Sequence, residues 1–223
     1  MTVWLALAVA LGIQAQTPVK MITYQLVMLK TGPTPFTQDE ATQRIVQQHL
    51  EYLKKLSAER TGLAAGPFTD GGEIAGVIVM NAPTPEKARE IEAADPAVKA
   101  GLFVMDVLPF MAPEGWFGKW MEPFAQETVY FGFLNRGPNR TQDVAGAEQL
   151  QKAHLAYMDA QGQQGKLVLA GPFVDGGIHR GVVVYRVATM EEAKRRAEGD
   201  PMIKAGRLVV DLHPWLVPRG ALP

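Results

Sequence analysis

The stretch "AGPFTDGG", Ala65–Gly72, is written a second time as "AGPFVDGG", Ala170–Gly177. The copies lie 105 residues apart (170 − 65), and this offset holds far outside the phrase. It links Gly32-Pro33 to Gly137-Pro138, His49 to His154, Asp95-Pro96 to Asp200-Pro201 and Lys99-Ala100-Gly101 to Lys204-Ala205-Gly206. It also links Asp106 to Asp211 and Pro109 to Pro214, with no gap from Gly32 to Trp215. A fixed offset over that length means one unit used twice. The units span residues 20–115 and 126–223, joined by "GWFGKWMEPFAQE", Gly115–Glu127. Four aromatic residues in the joint (Trp116, Phe117, Trp120 and Phe124) predict that it packs rather than dangles.

Each unit reads alike. Apolar Met21–Leu29 and its twin Thr128–Leu134 are strands. Helices follow, near Gln38–Glu59 and Asp143–Gln161, with Ile45, Tyr52, Leu53 and Leu56 on one face. Leu63–Phe68 is a strand, "DGG" is a hairpin turn, and Gly76–Met80 is a third strand. Thr84 then caps a helix that begins at Pro85, and Asp95-Pro96 starts a shorter turn that Gly101 ends. Phe103–Leu108 is the last strand. The order β-α-β-β-α-β is the ferredoxin-like arrangement. The predicted class is α+β, two tandem units. Val77–Met80 and Val182–Tyr185 are apolar at every position, so both faces of each sheet need cover. Helices supply one cover. The sheet of the other unit is the simplest second cover, which makes the chain a monomer with an intrachain pseudo-dimer. Further self-association is left open.

The composition narrows the function. The 223 residues carry a net charge of -1, so the basic excess of a nucleic-acid binder is missing. There is no cysteine, which excludes disulfides, thiolate catalysis and zinc–thiolate sites. Trp4–Ile13 is an apolar run too short to span a bilayer. Ile13-Gln14-Ala15 resembles a cleavage site, so residues 1–15 read as a signal peptide, although no Lys or Arg precedes the run. The expected location is secreted or periplasmic, with no membrane attachment after processing. If the segment is instead part of the fold, the location is cytoplasmic. Phosphate-binding loops, dinucleotide fingerprints and nucleophile elbows are absent. Four scattered histidines make no metal cluster, so neither a metal nor an organic cofactor is expected. Asn139-Arg140-Thr141 is a glycosylation sequon, meaningful only in a eukaryotic secretory pathway.

The candidate chemistry lies in the histidines. His49 follows Ile45 by four residues and points with the apolar stripe; His154 does the same between Leu150 and Tyr157-Met158. A core-facing ring needs hydrogen-bond partners. An aspartate lies 21 residues on in both units, Asp70 after His49 and Asp175 after His154. Such pairs fix an imidazole tautomer and suit general acid/base work. Plain structural roles remain open: Asp70 and Asp175 as turn residues, His49 and His154 as satisfied core groups. The flanks have drifted ("EYLKKLSAER" against "AYMDAQGQQG") while His-Leu-x-Tyr persists. Tyr52 and Tyr157, one turn on, are candidate ligand contacts as well as ordinary core residues. Gly66-Pro67 and Gly171-Pro172 place irregular backbone, open to close approach, beside the proposed pairs. Lys99 and Lys204 read as anion contacts or as solvated surface residues. His179 and His213 match Ile74 and Leu108; they are incidental or they differentiate the second site.

The ordered set "HLEYL … AGPFTDGG … DPAVKAGL … VLPF" resembles the YciI (YCII-related) domain family of the dimeric α+β barrel superfamily. The resemblance covers both units, nearly all of the chain after residue 20. It implies two ferredoxin-like units packed sheet to sheet. It also implies an active-site His–Asp pair, which falls on His49 with Asp70 and on His154 with Asp175. Some relatives are linked to breakdown of chlorinated aromatic compounds, including dehydrochlorination. The chain differs from the usual member in being a tandem fusion with an expected export signal. The expected activity is cofactor-independent chemistry on a small molecule, of isomerase, lactone or elimination type. A non-catalytic ligand-binding or structural domain is the alternative.

Overall fold

The computed structural model describes residues 20–121, 125–139, 144–174 and 177–223. The expected signal peptide (1–15), Phe124, Arg140-Thr141 of the sequon and Asp175 lie outside them. The first unit runs β1 (Met21–Thr31), α1 (Glu40–Ala58), β2 (Gly62–Pro67), β3 (Ile74–Met80), α2 (Pro85–Glu92), α3 (Pro96–Lys99) and β4 (Phe103–Pro113). The second runs β5 (Gln126–Arg136), α4 (Val144–Gln163), β6 (Leu167–Pro172), β7 (His179–Tyr185), α5 (Met190–Glu198), α6 (Pro201–Lys204) and β8 (Leu208–Pro218). The local signals act as their chemistry dictates. Asp39, Thr84 and Thr189 cap α1, α2 and α5 by accepting backbone N–H bonds in the first turn. Gly101 and Gly206 take left-handed φ after the short helices.

Each unit forms a four-stranded antiparallel sheet, ordered β2-β3-β1-β4 and β6-β7-β5-β8. β4 continues past Leu108 to Pro113, further than the sequence pattern predicts. Pro109 has no N–H to donate, but an edge strand tolerates that loss. The carbonyl of Pro109 instead accepts the Val174 N–H of the other unit at 2.9 Å.

Alternation along the strands assigns each side chain to a layer. Leu26 and Met28, with their twins Phe131 and Phe133, face a core shared by both sheets. Val27 and Leu29 face α1 and α2 in a separate core of the first unit; Leu134 and Val183 do so in the second. Val77, Ile78, Val79 and Met80 are all at most 1% exposed, so both faces of β3 are covered as predicted.

The sheets also meet edge to edge at two pseudo-symmetric seams, where β2 approaches β8 and β6 approaches β4. Phe68 bridges to Trp215, and Phe110 bridges to Phe173. The Trp215 indole donates to the Gly66 carbonyl at 3.0 Å. Glycine is required here: a Cβ on Gly66 would lie 1.8 Å from the Leu216 carbonyl oxygen, and one on Gly171 would lie 1.9 Å from that of Met111. The "GP" of the repeated phrase is therefore where the two sheets close into a barrel. The joint packs as expected. Trp116 donates its indole N–H to the Val168 carbonyl and Trp120 to that of Leu63, one bond to each unit.

Candidate active site

His49 stands on the inner stripe of α1. Its Nδ1 lies 2.6 Å from Oδ2 of Asp95, and the carboxylate is fully buried. In the second unit, Nδ1 of His154 lies 2.7 Å from Oδ2 of Asp200. Both aspartates are helix caps. Oδ1 of Asp95 accepts the Ala97 N–H at 2.7 Å and Oδ1 of Asp200 accepts that of Met202 at 2.8 Å. Pro96 and Pro201, at the first helical position, have their own φ fixed near the helical value, and the cap leaves the second aspartate oxygen to reach the long helix. A carboxylate accepts, so Nδ1–H donates and Nε2 is the basic nitrogen left to meet a ligand.

This corrects the expected pairing. Asp70 does not reach His49; its Oδ2 lies 2.6 Å from Nδ1 of His213, across the seam. The "DGG" turn also behaves as read, with Asp70 Oδ1 accepting the Gly72 N–H and Gly71 at φ 74°. The hairpin runs along the sheet toward β8 rather than back over α1, which is why 21 residues of separation brought no contact. His213 is not incidental. It stacks on Phe68 at 4.5 Å with an interplanar angle of 1°. Its Nε2 is 3.4 Å from Asp211, within ion-pair range but without a hydrogen bond. Asp175, expected beside His154, lies outside the described residues. Asp95 and Asp200 were visible in the sequence as a repeated Asp-Pro, but only as caps. The missed signal is that a capping carboxylate has a second oxygen to spend.

Each histidine lines a cavity between its long helix and its sheet, of about 420 Å³ at His49 and about 490 Å³ at His154. Gly66 and Pro67 line the first and Gly171 and Pro172 the second, where the sequence expected them. Each cavity borrows a wall residue from the other unit. Gln126 of β5 lines the first and Met21 of β1 lines the second, again at the 105-residue offset (126 − 21). Tyr52 and Tyr157 do not line them. Their hydroxyls donate to the carbonyls of Ile91 (2.6 Å) and Arg196 (2.8 Å), tying each long helix to the next one. Burial, with the nearby Glu92 and Asp95 charges, pushes the Tyr52 phenol up to about 12. That suits a permanent donor.

The first unit holds one more acid. Glu92 is fully buried, and neither carboxyl oxygen has a hydrogen-bond partner. Burial, and then the charge of Asp95, pushes its carboxyl up to about 9. Ala197 occupies the same position in the second unit.

Comparison with known proteins gives the family and the fold. A model of the YCII-related domain matches residues 25–111 and again residues 133–216. The chain belongs to the YCII-related domain family. YjpA of Bacillus subtilis (strain 168), an uncharacterised protein, is 35% identical over 81 residues, covering 36% of this chain and 85% of YjpA. Solved structures that share the α+β barrel fold include the following two. A heme-binding protein from Thermus thermophilus has a TM-score of 0.54 at 12% identity, covering 89% of this chain and 93% of its own. A chlorite dismutase variant from Candidatus Nitrospira defluvii has a TM-score of 0.54 at 8% identity, covering 89% and 92%. At these identities the likeness is one of fold. Among the described residues no helix is long and apolar enough to cross a membrane.

Proposed function

We propose that this YCII-family chain is a small-molecule enzyme whose two cavities carry out proton transfer through His49 and His154. One observation carries the reading: in both units a buried aspartate fixes Nδ1 of a histidine that lines a cavity. Asp95 and Asp200 select the tautomer with Nε2 basic and stabilise the imidazolium that forms when it takes a proton. Around His49 the walls are largely apolar, which strengthens the Asp95–His49 interaction there. Reactions within reach of one base that later returns its proton are isomerisation, lactone opening and elimination of a leaving group.

Activity against small lactones and halogenated quinols tests this. The double variant His49→Ala/His154→Ala is expected to abolish turnover; turnover that survives places the chemistry elsewhere. Asp95→Asn/Asp200→Asn is expected to lower the rate roughly 10²–10⁴-fold, whereas Asp70→Asn leaves it near wild type. By NMR, Asp95→Asn is expected to move the Nδ1 resonance of the His49 ring, while Asp70→Asn moves only that of His213.

A second reading also has an observation behind it. An imidazole held at Nδ1 by a carboxylate is how metal-ligating histidines are oriented, and one protein of this fold is a heme-binding protein. His49 or His154 would hold such a group through its Nε2, and the group would supply a redox-active iron. Among the described residues no group of three His, Cys, Asp or Glu side chains could hold a bare ion. A hemin titration decides between the readings. A Soret shift that disappears in the histidine variants favours heme, and proton transfer without cofactor expects none.

A further inference from the structure

The two cavities occupy equivalent places, yet their linings differ in a consistent direction. Around His49 stand Val46, Ala75 and Phe103, with Phe36 at the mouth. The residues at the same offset around His154 are Gln151, Arg180 and Leu208. Arg207 joins that second lining from the position held in the first unit by buried Leu102. Among the described residues lining the first cavity, Lys54, exposed on α1, carries the charge. Among the described residues the second therefore gains two guanidinium groups and an amide, and loses an aromatic ring and a branched aliphatic chain. Arg180 extends from the helix-facing side of β7, since its neighbour His179 turns toward Phe133 and Phe173 in the shared core. Arg207 enters from the turn just before β8. Arg180 also donates to the Gly177 carbonyl at 3.4 Å; two arginines from different elements lining one concave site supply the recognition chemistry of a carboxylate or phosphate.

We infer that the two sites take different ligands: the His154 cavity binds a small organic oxyanion, held by Arg180 and Arg207, and the His49 cavity binds a neutral apolar molecule. This rests on the reading of both cavities as ligand sites and is independent of whether either catalyses.

The test is binding, measured on the full chain by following the His49 and His154 ring resonances during titration. Benzoate, phenyl phosphate and benzyl alcohol are matched in their ring and differ in charge. Benzoate or phenyl phosphate is expected to shift His154 and leave His49 unmoved, and the tighter of the two names the oxyanion. Benzyl alcohol is expected to shift His49. Arg180→Ala/Arg207→Leu installs the residues that the first unit carries at those positions. It is expected to weaken the anion at His154 by roughly tenfold or more and to leave benzyl alcohol at His49 unchanged. Anions that perturb both rings alike, or that keep their affinity in the arginine variant, overturn the inference, as does anion binding at neither site. Selective binding without turnover of any substrate would instead sink the catalytic reading and leave this one standing.

Discussion

Asp95 has two oxygens and each has a separate task, one closing a helix and one holding a ring. Glu92, three residues earlier, has none. Its carboxyl is buried without a partner and stays protonated up to about pH 9. In the unfolded chain a glutamate titrates near 4.5. Between those values the folded state keeps a proton that the unfolded state releases. The stability tied to Glu92 is therefore fully present below about 4.5 and is lost as the pH rises toward about 9. Glu92→Ala, matching Ala197, removes that dependence. The melting temperature of the variant relative to wild type is expected to be several degrees higher at about pH 8.5 than at about pH 5.5. A difference that stays constant over that range would mean Glu92 is ionised in the folded protein.

At the scale of elements, the turn, the caps and the two-faced strands were legible because each follows from a few adjacent residues. The 3.6 period correctly put His49 on the buried stripe. The partner of that histidine was not legible. Choosing between Asp70 and Asp95 depends on where the β2–β3 hairpin leans, and local pattern does not encode that direction. The hairpin leans toward β8 because Gly66 lets β2 approach the Leu216 carbonyl. Two backbones meet there, so neither has a flexible end that can yield. Gly66→Ala is expected to cost roughly 2–4 kcal/mol in urea unfolding. Gly72→Ala, whose Cβ would meet nothing closer than 3.6 Å, is the control and should stay near wild type. Equal effects at the two positions would show that the seam relaxes.

At the scale of the molecule, neither sheet is covered without the other. Phe110, Phe131, Phe133 and Trp215 are each at most 1% exposed, and all belong to the shared core. Burial of such side chains is worth about 1.5–3 kcal/mol each. A fragment of residues 20–121 cannot leave that face in water. Because the seams are pseudo-symmetric, with Phe110 standing where Trp215 does, the fragment is expected to pair with itself. Light scattering on the purified fragment checks this, and a folded monomer would contradict the assigned core. In the intact chain the joint, with one tryptophan bonded into each unit, makes that pairing independent of dilution. Covalent joining has a further effect. In a barrel assembled from two identical chains, any mutation is expressed twice and must suit both sites together. Here a mutation is expressed once, so one half can explore new residues while its twin keeps the barrel closed.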